Sequence, residues 1–80
     1  MQLIINGQTR ELETLKQGST VAELVATLAM QADRVALEQN GEIVPRAQWA
    51  ATPIAEGDRM EIVHFVGGGS GASAAGGYPA

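Results

Sequence analysis

The stretch Met60-Glu61-Ile62-Val63-His64-Phe65-Val66, rich in β-branched and aromatic residues, runs directly into Gly67, Gly68 and Gly69. A strand normally ends in a turn. Glycines in its place lack Cβ atoms, so an extended backbone can thread a channel too narrow for side chains and set a carboxylate against a nucleotide inside a partner enzyme. The chemistry of such an arm is that of a substrate tail. From composition alone, the alternative is that the glycines open a linker, since Gly-rich linkers are common.

Other chemistry is scarce. The 80 residues include no cysteine and one histidine, which removes thiolate nucleophiles, Cys-ligated zinc, iron–sulfur ligation and a multi-His metal site within the chain. His64 has an unperturbed pKa near neutrality, but no nucleophile or acidic dyad accompanies it in the sequence, so it is expected to be a half-buried strand histidine. No catalytic residue and no metal ligand set is assigned. Nine acidic against five basic side chains give a net charge of −4, which opposes binding to nucleic acid. No apolar run approaches the roughly 20 residues needed to span a bilayer, and there is no basic n-region, so a soluble, cytoplasmic protein is expected.

These residues must be positioned by a small domain. A chain of this length buries only about 60% of its unfolded surface and sits near the lower limit for an unstapled core. Residues 67–80 hold six of the ten glycines, four alanines, two serines and no charge. Such a segment lacks the apolar surface to offset its ordering entropy, so the folded unit is residues 1–66, followed by the arm 67–69 and a flexible tail 70–80.

Within the unit, Asn6-Gly7 separates two short strands in residues 1–13, and Asn40-Gly41 separates a strand at 35–39 from Ile43-Val44. Asn-Gly suits the type I′ turn, in which both central residues need positive φ. Thr20 and Glu23 have capping-box spacing, and Val21, Leu24, Val25 and Leu28 form one apolar stripe, which predicts a helix ending near Met30. Pro45 stops the second hairpin and opens a short helical turn over 45–50. Glu56-Gly57-Asp58 is a polar turn before the last strand, residues 59–66. The order ββαββ, turn, β fits an α+β domain of β-grasp (ubiquitin-like) type: a mixed sheet, the last strand beside the first, with one main helix on one face. An open antiparallel hairpin stack with a loosely docked helix is the competing topology.

Alternation along the last strand puts Met60, Ile62, His64 and Val66 on one face and Glu61, Val63 and Phe65 on the other. Glu61 marks the second face as the wetter one, which leaves Val63 and Phe65 as an apolar docking patch beside the arm. The competing reading packs Phe65 under a loop as core. Arg46 is available to pair with a partner carboxylate, and Trp49 is expected to cover the edge of the core.

The segment from Asp58 through Gly69, together with Asn40-Gly41-Glu42-Ile43-Val44-Pro45-Arg46 and Trp49, resembles the ThiS family of sulfur carrier proteins of thiamine biosynthesis, over residues 1–69. The resemblance implies a carrier rather than an enzyme, with no bound cofactor. A ThiF-like adenylating enzyme would use ATP to activate the Gly69 carboxylate, with Gly67 and Gly68 as the reactive arm. Sulfur mobilised by a cysteine desulfurase would convert the acyl-adenylate to a thiocarboxylate, and a ThiG-like thiazole synthase would take the sulfur. Family members generally stop at the diglycine, whereas here Ser70 turns the required carboxylate into a peptide bond. Either a tail-processing protease removes residues 70–80, exposed Gly/Ser/Ala segments being preferred sites of cleavage, or residues 70–80 do not belong to the working protein, or the chain has left the thiocarboxylate pathway. Gly76-Gly77 is a second diglycine not joined to a strand. Two other readings stand beside this one: a molybdopterin synthase small subunit-type carrier, against which the NGEIVPR and HFVGGG segments argue, and a ubiquitin-like binding module whose tail is only a linker.

Overall fold

The computed structural model describes residues 1–65, so Val66, the glycine arm and the tail 70–80 lie outside the described residues. Five strands, β1 (Gln2–Ile5), β2 (Gln8–Glu11), β3 (Val35–Gln39), β4 (Glu42–Ile43) and β5 (Arg59–His64), form one sheet in the order β2-β1-β5-β3-β4, with the helix α1 (Val21–Thr27) between the two hairpins in sequence. β5 pairs in parallel with β1 through Ile4↔Arg59 and Ile5↔Met60, and antiparallel with β3 through five residue pairs from Val35↔His64 to Gln39↔Met60. The last strand therefore lies between the two hairpins, which gives the β-grasp arrangement and excludes the open hairpin stack.

Local chemistry accounts for the elements. Asn6 (φ 51°) and Gly7 (φ 83°) both sit in the left-handed region, as do Asn40 (φ 52°) and Gly41 (φ 88°), and each pair closes a two-residue hairpin. Thr20 caps α1, its Oγ1 accepting from the Glu23 amide at 3.3 Å. The apolar side of α1, Val21, Leu24 and Val25, joins Leu3, Ile5, Leu37, Met60 and Ile62 from the sheet in one core. Trp49 closes that core from the 3-10 helix Arg46–Ala51, with its indole Nε1 donating to the Val44 carbonyl at 2.8 Å. Buried tryptophan keeps its packing area only if that N–H is satisfied.

Several boundaries differ from the sequence expectation. α1 ends at Thr27 rather than near Met30, because Ala29 turns left-handed (φ 60°), with its amide donating to Ala26 O and the Met30 amide to Val25 O. Alanine at such a helix stop carries a Cβ penalty that glycine avoids, and so gives no sequence signal. A second 3-10 helix, Ala32–Arg34, follows where none was expected. β4 is Glu42–Ile43 rather than Ile43-Val44, although the Val44 amide continues the pairing by donating to Leu37 O at 3.0 Å. His64 is exposed, not half-buried: it lies at the far end of β5, two residues past Ile62 and beyond the point where β1 has already turned away.

Candidate functional site

β5 is fixed at its start by a polar cluster. The Asp58 carboxylate accepts from the Ala55 amide (2.8 Å), Gln39 Nε2 (3.0 Å) and Asn40 Nδ2 (3.0 Å), and Asn40 Oδ1 in turn accepts from the Arg59 amide at 2.9 Å. Partial burial pushes the Asp58 carboxyl up, but the bonds from Asn40, Ala55 and Gln39 together outweigh it and hold it below the usual aspartate value. The Asn40-Gly41 hairpin and the Gly57-Asp58-Arg59 turn thus set the register of β5.

At its other end the strand is released on one side and held on the other. The Asn6 amide donates to Met60 O, and the Asn6 side chain then continues the ladder by itself, with Oδ1 accepting from the Ile62 amide at 2.7 Å and Nδ2 donating to Ile62 O at 3.2 Å. That side chain is the last rung from β1, since the chain has turned at Asn6 and Gly7. Opposite, the Phe65 amide donates to Arg34 O at 2.8 Å, and Arg46 Nη1 donates to Ala32 O at 3.3 Å. The 3-10 helix Ala32–Arg34 therefore ties both Phe65 and Arg46 to one end of the sheet, the end at which the chain continues towards Gly67.

Register defines the face away from α1. Thr9, Ile4 and Arg59 form one cross-strand row, Glu61, Glu38 and Ile43 the next, and Val63 and Ala36 the third. Val63 (49% exposed) and Phe65 (44%) are open to solvent as the alternation predicted, and Glu61 is exposed with them. Ile43, at 51%, is a third exposed apolar residue of this face that the sequence reading missed. Two-residue hairpin register places it opposite Glu38, and that pairing was available from the Asn40-Gly41 turn. Gly67, Gly68 and Gly69 lie outside the described residues.

Among the described residues no group of three or more His, Cys, Asp or Glu could hold a metal ion. A groove of about 530 Å³ lined by Met1, Leu15, Lys16, Ile54 and Glu56 sits at the start of β1, the opposite end of the sheet from Phe65. No described helix is long and apolar enough to cross a membrane.

Comparisons with known proteins agree with this geometry. The ThiS family model matches residues 3–69. The chain is 35% identical over 69 residues to the sulfur carrier protein ThiS of Escherichia coli, covering 86% of this chain and 100% of that protein. It is 41% identical over 70 residues to a thiazole synthase of Paramagnetospirillum magneticum, covering 88% of this chain but 21% of that protein, and it spans a similar fifth, 20%, of a thiazole synthase of Magnetococcus marinus. The crystal structure of the thiamine biosynthesis protein ThiS from Geobacter metallireducens superposes with a TM-score of 0.73 at 36% identity, covering 86% of this chain and 100% of that one. With a β-grasp sheet, a last strand followed in sequence by a triglycine, and a family match that spans both, the chain belongs to the ThiS family.

Proposed function

We propose that this chain is a cytoplasmic sulfur carrier of thiamine biosynthesis whose working group is the carboxylate of Gly69, and that it is a protein substrate rather than a catalyst. The observation that carries the reading is the family match, which begins at residue 3 and runs to Gly69. A free carboxylate is a poor acyl donor. A ThiF-like enzyme would join it to the α-phosphate of ATP with loss of pyrophosphate. The outer sulfur of a persulfide formed by a cysteine desulfurase would then attack the acyl carbon of this mixed anhydride, expelling AMP and forming an acyl disulfide, which a thiol reductant cleaves to leave the thiocarboxylate. A ThiG-like thiazole synthase is the acceptor, a partnership supported by the two thiazole synthases that carry a region similar to this chain. Val63 and Phe65 form the docking patch for these partners, and Arg46, at the same end of the sheet, pairs with a partner carboxylate.

Because Ser70 follows Gly69, the carboxylate forms only once a protease hydrolyses that peptide bond. Incubation of the chain ending at Gly69 with ATP, an activating enzyme and a sulfur source tests the reading. The expected product has gained the mass of sulfur in place of one oxygen at Gly69. A chain ending at Gly69 that stays unmodified, under conditions in which the activating enzyme modifies its own carrier, overturns it.

A further inference from the structure

On the exposed face of β3, β4 and β5, Glu38 and Glu61 stand directly opposite each other, and Glu38 faces Ile43 on its other side. Like charges opposed across paired strands are unfavourable. The net charge of −4 adds to the cost, and solubility alone would be served by acids placed anywhere else on the surface. The nearest cations by register are Arg59, two residues before Glu61 on the same face, and Arg34 beside Phe65. Among the described residues neither closes an ion pair with Glu38 or Glu61, the ion pair found there being Met1 N with Glu11. The acidic pair is flanked in the same face by Ile43 and Val63, about half exposed each. An uncharged apolar partner covering this face would strand two carboxylates away from water, whereas one with a cation at that point would neutralise them.

We propose that the Glu38–Glu61 pair is a charge selector, unfavourable in the free domain and relieved only by a partner whose apolar contact surface carries arginine or lysine opposite it. The partner is a ThiG-type thiazole synthase. The inference rests on the docking reading above and adds the chemistry that the synthase surface must present. It separates affinity from stability, because the residues that help binding oppose folding.

Binding of the full 80-residue chain to a purified ThiG-type thiazole synthase tests it, with Glu38→Gln, Glu61→Gln, the double variant and Val63→Ser compared by titration calorimetry and thermal melting. The double Gln variant is expected to lose about tenfold in affinity at about 50 mM NaCl, to approach the parent chain at about 500 mM, where screening is short-ranged, and to melt at the same temperature or higher. Unchanged affinity of the double variant at low salt overturns the selector, as does a melting temperature that falls with the affinity. Loss of binding in Val63→Ser with full binding in the Gln variants sinks the selector alone. If neither the parent chain nor the chain ending at Gly69 binds, or Val63→Ser binds like the parent, the docking face itself is wrong.

Discussion

Asn6 serves two functions that a sequence shows only one of. Its left-handed backbone closes the first hairpin, and its amide group supplies the final pair of hydrogen bonds that hold Ile62 to the β1 side. Replacement by glycine keeps the turn and deletes those bonds, and Asn6→Ala adds the left-handed penalty. Asn6→Gly is expected to cost about 1–2 kcal/mol and Asn6→Ala more, with faster amide exchange at Ile62, measured by denaturant melts and hydrogen exchange. Asp58 gives a pH signature. A carboxyl held below its ordinary value stabilises the fold fully above the unfolded pKa, near 3.8, and that contribution is lost as pH falls through the lower folded value. The parent chain should lose stability faster than Asp58→Asn on acidification through that range, while at neutral pH the variant is the weaker of the two. Melting curves for both proteins across that range check it.

At the scale of elements, β5 faces two environments, and substitutions along it should sort by face. Met60, fully buried, is core: Met60→Ala is expected to cost about 2–5 kcal/mol. Phe65, 44% exposed and backbone-bonded to Arg34, should cost less, about 1–2 kcal/mol for Phe65→Ala, while weakening partner binding more than Met60→Ala does in material that remains folded. Stability and binding measured on both variants check this ordering. The alternation that predicts it was legible because a strand has period two and Glu61 breaks the apolar run. Both hairpins were legible from Asn-Gly, and the start of α1 from Thr20. The end of α1 was not, because Ala29 takes a left-handed conformation that its residue type disfavours. The Ala32–Arg34 3-10 helix was also hidden: its role is to offer the Arg34 and Ala32 carbonyls to Phe65 and Arg46, and backbone carbonyls leave no mark in a sequence. His64 was placed on the correct face but not at the correct depth, since burial there depends on where β1 stops, a tertiary fact.

At the scale of the whole molecule, every buried core residue among the described residues falls between Leu3 and Ile62, before the glycines begin. The family match ends at Gly69, and the eleven residues after it contain no charge. On the proposed function, folding and activation depend on different parts of the chain, and one truncation separates them. Residues 1–69 and the full 80 should melt at the same temperature, because the truncation keeps every core residue found among the described residues. They should differ in the cell: in a thiamine auxotroph lacking its own carrier, residues 1–69 restore growth directly, whereas the 80-residue chain does so only where a protease exposes the Gly69 carboxylate. Blocking that cleavage by Ser70→Pro leaves the fold intact and is expected to abolish rescue by the long chain, since a peptide amide cannot accept the adenylyl group as a carboxylate does. The mass of chain recovered from growing cells checks the same point independently, with material ending at Gly69 expected wherever the long form supports growth. Growth supported by a chain that uniformly keeps all eleven residues would mean that sulfur is not carried at Gly69.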